Sequence, residues 1–233
     1  MSAFLLSKKS IWLMVLLYII TNSLLIAFDQ YFLLLLPIVL TLIYLLIFKL
    51  DFVFLFIVFC SPFSFNFENL SLGGIGLYFP TEPLLLIFSM VFILKFLLNN
   101  SSRKYLKHYQ NPITSIILLQ LIWILITSFN SESPLISFKF LISRTWFVVP
   151  LFFYSIHFFK EGHHRIFQYV WAFILPMSTV VLITLIKHAS MGFSEEAGHW
   201  IMWPFFKDHT SYGAIIAICI PMVIWLINKQ KIY

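Results

Sequence analysis

Apolar residues come in eight long runs separated by short polar stretches, and this alternation organises the whole chain. The runs lie near Ile11 to Phe28, Tyr31 to Phe48, Phe52 to Phe63, Pro83 to Leu98, Pro112 to Phe129, Phe138 to Phe159, Ile166 to Ile186 and Tyr212 to Ile227. A helix needs roughly 17–25 apolar residues to cross the hydrocarbon core of a bilayer, and most of the runs approach that length. A membrane-spanning helix also satisfies every backbone N–H and C=O within its own segment. The pattern therefore predicts an all-α fold: a polytopic transmembrane helix bundle of about eight spans in a single domain, residues 1–233. The third run is the shortest. It crosses only if it continues irregularly through the Ser61-Pro62-Phe63-Ser64 turn; otherwise everything after it inverts.

Composition agrees with the pattern. The chain is 61% hydrophobic, 19% aromatic and only 10% charged, with a mean hydropathy of +0.96, whereas an average soluble domain is about 25% charged. A water-soluble fold has no way to hide this much Leu, Ile and Phe.

Charge then sets the expected orientation, because loops on the cytoplasmic side hold the excess of Lys and Arg. With the amino terminus inside, Lys8, Lys9, Lys49, Lys95, Arg103, Lys104, Lys107, Lys160, Arg165, Lys229 and Lys231 fall on the cytoplasmic side. Lys139, Arg144, Lys187 and Lys207 fall on the outer side. Seven acids (Asp29, Glu68, Glu82, Glu132, Glu195, Glu196 and Asp208) lie outside with them. The net charge of +6 thus reflects membrane anchoring rather than nucleic-acid binding, and both termini are expected to be cytoplasmic. The first run, with Lys8 and Lys9 ahead of it, could pass for a secretory signal. It lacks an A-x-A-like cleavage site and runs straight into a second apolar segment, so an uncleaved first helix is expected. Cys60 and Cys219 sit in or beside apolar runs, where they imply packing and neither a disulfide framework nor a metal motif.

Two segments on the expected outer side stand out. The first, Asn66 to Thr81, carries Gly73, Gly74 and Gly76 and ends in Pro80-Thr81-Glu82-Pro83; no Gly-Lys-Ser/Thr follows, so its glycines imply turns rather than a phosphate loop. The second, Lys187 to Thr210, concentrates three of the seven histidines (His188, His199 and His209) with three acids and two lysines. Histidines and carboxylates suggest zinc. The separations of eleven and ten residues match no compact ligand motif, however, and no metal or other cofactor is expected. Trp200, Trp203, Phe205 and Phe206 suit interfacial anchoring. Asp208 precedes the last run, where its carboxylate can cap free N–H groups, as could Thr210 and Ser211. The same helix end favours an anion such as phosphate beside Lys207 and His209.

Arg144 is the sharper signal, since an ionised residue within a span points to function by default. Counted from Phe138 at 1.5 Å per residue, it lies roughly 9 Å below the outer interface, shallow enough to snorkel. Lys139 is about 140° away around the helix. Both sit at the depth of a lipid-bound pyrophosphate, which Arg can grip bidentately.

The stretch Pro204-Phe205-Phe206-Lys207-Asp208-His209-Thr210-Ser211-Tyr212-Gly213-Ala214, followed by an apolar helix with Pro221, resembles the Asp-His-Thr-x-Tyr-Gly-Ala segment of O-antigen ligase-like membrane proteins, in the form common in Bacteroidota. Lys187-His188-Ala189 with Gly192-Phe193, the Phe138-Lys139-Phe140 to Arg144-Thr145-Trp146 helix, and Ser61-Pro62 with Pro80-Thr81-Glu82-Pro83 are similar to that family in order and spacing. The resemblance implies a GT-C-like membrane glycosyltransferase of the bacterial inner membrane, working in cell-envelope polysaccharide biosynthesis. Such an enzyme transfers a glycan from undecaprenyl diphosphate to lipid A core, another glycan or a protein at the periplasmic face, without a metal. Basic residues would hold the diphosphate, and a His would orient the acceptor hydroxyl. Lys139, Arg144, His188, Lys207, Asp208 and His209 are then the candidates for diphosphate or glycan binding. Family members continue past the point where this sequence ends, with further spans and a large loop bearing the catalytic His. The chain therefore looks like the amino-terminal half of a ligase or polymerase, and no catalytic residue is assigned. A non-catalytic membrane subunit, with a partner polypeptide supplying the missing half, and a small transporter or flippase are the alternatives.

Overall fold

Where one helix stops and the next begins depends on local signals that hydropathy does not carry. The computed structural model describes residues 8–67, 77–98 and 110–230. Within it the chain divides into two compact units, Met1–Lys49 and Leu50–Tyr233.

The first unit holds α1 (Lys8–Ala27), a 3-10 turn (Phe32–Leu34) and α2 (Leu35–Phe48). No residue of α1 is buried, as suits a helix that is apolar all round and faces lipid. Asp29 reverses the chain with φ 58°; Asp is one of the few residues that tolerates the left-handed region. The Tyr18 hydroxyl then donates to the Leu33 carbonyl at 3.3 Å.

The second unit begins with α3 (Leu50–Cys60), a 3-10 turn (Ser61–Phe63) and a two-stranded hairpin, β1 (Phe65–Phe67) and β2 (Leu77–Phe79). Its strands are antiparallel, with Phe65 opposite Phe79 and Phe67 opposite Leu77. Next come α4 (Thr81–Leu98), α5 (Pro112–Phe129), α6 (Pro134–Val148), a π turn (Val149–Tyr154), α7 (Ser155–Phe159), α8 (His163–Ser190), the short α9 (Glu195–Gly198) and α10 (His209–Gln230). Pro112 and Pro134 each occupy the first helical position, where a missing N–H costs nothing. Asn111 caps α5 by accepting from the Thr114 N–H at 2.8 Å. Several helices nevertheless run beyond the apolar runs. Only the fifth keeps its expected bounds of 112 to 129, while the sixth begins at Pro134 and the seventh runs from His163 to Ser190.

All-α architecture therefore holds apart from the small hairpin. Among the described residues, six helices are long and apolar enough to cross a membrane, or seven if α2 and α3 together form one span. At 1.5 Å per residue, the 14 residues of α2 and the 11 of α3 reach about 21 and 17 Å, short of the roughly 30 Å core. Eight spans would require each of them to cross. The expected glycine turns at Gly73, Gly74 and Gly76, and the basic residues Arg103, Lys104 and Lys107, lie outside the described residues.

The core of the second unit is aromatic. Phe54 of α3, Phe88 of α4 and Phe158 of α7 are buried at 1%, 0% and 0% exposure. Tyr154 joins them, 4.8 Å from Phe88, 5.1 Å from Phe54 and 5.3 Å from Phe92 between ring centroids. Lipid tails are as apolar as these side chains, so hydrophobic transfer supplies little here, and close packing with interhelical hydrogen bonds must hold the helices. Ser89 of α4 supplies one such bond, donating to the Trp146 carbonyl of α6 at 3.1 Å. A larger set surrounds Arg165 near the start of α8. Its guanidinium donates to Asp51 Oδ2 on α3 at 2.8 Å and to Glu161, lies 4.9 Å over the Phe158 ring, and shares Asp51 with the Tyr154 hydroxyl. The π turn, opened by Pro150, shifts the register of the helix and carries Tyr154 to that carboxylate.

Candidate functional site

Residues 187 to 211 fold into a cap joining α8 to α10, and this cap gathers most of the chemistry. Its construction starts with the stop of α8. Gly192 takes φ +66°, its N–H bonds the Ala189 carbonyl, and the Phe193 N–H reaches back to the His188 carbonyl, both at 3.1 Å. This is a Schellman ending, completed by the Phe193 ring against His188 at 5.1 Å between centroids. His188 Nε2 is bonded to the Ser194 carbonyl at 3.1 Å. The Lys187-His188-Ala189…Gly192-Phe193 pattern thus has a complete local explanation as a helix terminator.

Ser194 then caps α9, accepting from the Ala197 N–H. Beneath the turns that follow, Ala197, Ile201 and Met202 are buried, with Phe206 and Tyr212 packed against them. The Tyr212 hydroxyl meets Thr184 Oγ1 at 2.6 Å, which ties α10 to α8. Lys187 folds back into the cap. Its ammonium donates to the Trp203 carbonyl at 3.2 Å and lies 5.2 Å from the centre of the Trp200 ring. The four aromatic residues expected as anchors divide. Trp200 and Trp203 are exposed, whereas Phe206 belongs to the small core and Phe205 packs on Phe65 and Phe63.

Asp208 caps α10. One carboxylate oxygen accepts the Ser211 N–H at 2.7 Å and the Thr210 hydroxyl, and the other accepts the Ser211 hydroxyl at 2.8 Å. These bonds favour the ionised form. Led by the Thr210 hydroxyl and then the Ser211 N–H, they draw its pKa down from 3.8 to about 2. A carboxylate so occupied is a poor proton acceptor, so Asp208 has the geometry of a cap. Lys207 beside it is exposed.

His199 and His209 are brought together. Their rings lie 4.7 Å apart at 81°, with the two Nδ1 atoms 3.5 Å from one another. The ten-residue separation hid this pairing in the sequence. Only the folded turns of 200 to 208 close it, and His199 was not among the candidate binding residues. Among the described residues, no group of three or more His, Cys, Asp and Glu side chains is placed to hold a metal.

Lys139 and Arg144 lie elsewhere. They sit on α6, whose main partners are α5, the π turn and α4. Lys139 is half-buried and Arg144 is exposed. Because α6 begins at Pro134, Arg144 is about 15 Å along the helix from its first residue. An apolar groove of about 450 Å³ opens between α4, α5 and the π turn, lined by residues including Phe92, Phe96, Leu118 and Phe153. Among the described residues, its lining contains no ionisable side chain.

The Asp51–Tyr154–Arg165–Glu161 network was also missed from sequence. Its local half was readable, since Glu161 and Arg165 are four residues apart, but the long-range partners were not. Comparison with known proteins adds no further constraint: no family model, curated protein or solved structure matches the chain.

Proposed function

We propose that this chain belongs to the machinery of envelope-polysaccharide assembly and engages a glycan carried on undecaprenyl diphosphate. It does so as an O-antigen ligase-like, GT-C-type membrane glycosyltransferase component of the bacterial inner membrane. The observation carrying this reading is the cap at the head of α10. A packed base presents exposed Lys207 with His199 and His209, within the stretch that resembles the family's Asp-His-Thr-x-Tyr-Gly-Ala segment. Both termini are cytoplasmic and the cap faces the periplasm in this reading. The Lys207 ammonium there suits a diphosphate whose polyprenyl tail lies in the bilayer. Asp208 shapes the cap, and His188 holds the end of α8.

Arg144 favours a second reading alongside the first. An exposed guanidinium within an apolar helix of membrane-spanning length calls for a phosphate, water or a polar neighbour, and a membrane subunit docked against a partner polypeptide supplies one. Binding of undecaprenyl-diphosphate glycan to the chain in nanodiscs tests the leading reading, with undecaprenol as the uncharged control. Saturable binding weakened by Lys207→Ala is expected; equal retention of both lipids sinks it. A transmembrane protein co-purifying with wild type and lost with Arg144→Ala marks the subunit reading.

A further inference from the structure

The facing histidines, which the glycan reading only sets beside Lys207, form a pair with a geometry of its own. We propose that His199 and His209 together bind one divalent transition-metal ion of borderline softness, such as Zn²⁺ or Cu²⁺, through their Nδ1 atoms. Zinc–imidazole bonds are about 2.0–2.1 Å long, so two nitrogens at adjacent corners of a tetrahedron stand about 3.3–3.4 Å apart. The observed Nδ1···Nδ1 separation is 3.5 Å. The ring centroids, 4.7 Å apart, stand closer than those of two rings sharing one ion, so both side chains swing outward to admit it.

The frame beneath the pair is fixed before any ion arrives. His199 ends α9 and His209 opens α10. Between them the Trp200 and Ile201 N–H groups bond the Ala197 carbonyl, and the Phe206 N–H bonds the Met202 carbonyl, each at 3.1 Å. Buried Ile201 and Met202 anchor those turns. Without an ion, one Nδ1 must donate to the other. With an ion, both present lone pairs, and each Nε2 keeps its proton. Imidazole selects zinc, copper or nickel over magnesium or calcium, which prefer oxygen ligands. Asp208 does not complete the set, because its oxygens serve Thr210 and Ser211. Two protein ligands leave two tetrahedral positions for water or a ligand oxygen.

The test uses the full chain purified in detergent, with His163→Ala and His164→Ala introduced to remove the adjacent histidines at the start of α8. Zn²⁺ is titrated against a chromogenic indicator, and Cu²⁺ loading is followed by electron paramagnetic resonance. One equivalent of Zn²⁺ is expected, with a Cu²⁺ spectrum showing two imidazole nitrogens. His199→Ala or His209→Ala should abolish the Zn²⁺ equivalent and reduce the copper pattern to one nitrogen. His209→Cys, which restores a ligand, should regain Zn²⁺ and so separate ligand loss from a collapsed cap. Unchanged stoichiometry in the alanine variants, or no metal uptake by the parent chain, would overturn the site and leave a proton-sharing pair.

Discussion

Asp208 shows how one side chain can carry both a legible and a hidden role. Its place before an apolar run announced a cap, and the bonds from Ser211 and Thr210 realise it. The consequence for pH follows from the pKa, which folding lowers from 3.8 to about 2. A depressed carboxylate stabilises the folded state above its unfolded pKa, and that contribution drains away as pH falls through the interval. Thermal unfolding in detergent should therefore show Asp208→Ala below wild type near neutral pH, with the gap closing between pH 3.8 and about 2. Asp208→Asn should keep much of the cap at neutral pH, because Asn caps nearly as well as Asp. A gap independent of pH would remove the carboxylate from the explanation. His188 went the other way. As a residue it suggested ligand chemistry, and its ring instead packs against Phe193, beside a stop that needs Gly192 at positive φ. The sequence contains both glycine and histidine, but only backbone geometry reveals that they belong to one terminator.

Among elements, helix existence was legible because runs of Leu, Ile and Phe of this length have few other outcomes. Helix contacts were not, since hydropathy is nearly uniform around each helix and marks no buried face. Phe54 and Phe56 look alike in sequence, yet Phe54 is 1% exposed and Phe56 is 43% exposed. The selection comes from specific partners, above all the Arg165 network that joins α3 to α8. Arg165 lies in the first turn of its helix, where the macrodipole disfavours a cation, so the acids around it must account for its position. Asp51 and Arg165 pair at 2.8 Å with side chains 34% and 17% exposed, and partial exposure tempers the energy. Interhelical hydrogen bonds in membranes average roughly 0.6 kcal/mol, and a charge-assisted bond is about twice as strong as a neutral one. A double-mutant cycle of Asp51→Asn and Arg165→Ala, read by unfolding in mixed micelles, should yield a coupling of about 1 kcal/mol. Arg165→Lys should recover little, because an ammonium cannot span two carboxylates while stacking on Phe158. Additive effects would reduce the network to a crystal-like surface pair of no consequence.

At the scale of the molecule, the break between α2 and α3 bears on which end of the chain inverts. A third run that fails to cross was expected to invert everything after it. Yet the helices from α4 onward carry their own orientation signal. Lys95, Lys160, Arg165 and Lys229 lie at the ends that alternation places on one side, together with the sequence positions Arg103, Lys104, Lys107 and Lys231. The opposite side has Lys187 and Lys207 in its loop, with Lys139 and Arg144 already inside α6. By the positive-inside rule the cap is expected outside however α2 and α3 traverse the bilayer, and site-directed labelling decides it. What inverts is the amino terminus, where Lys8 and Lys9 are outvoted if the pair makes a single crossing. Cys60 and Cys219 lie within apolar helices, so replacing them leaves a chain suited to single-cysteine mapping with a membrane-impermeant maleimide. Glu196→Cys should label in intact spheroplasts, and Tyr233→Cys only after lysis. Ser2→Cys then reports on the break: labelling before lysis means that α2 and α3 form one span, and protection means that they cross twice or enter and leave by the same face. Protection of Glu196→Cys together with labelling of Tyr233→Cys would place the cap in the cytoplasm and remove a periplasmic glycan donor from consideration.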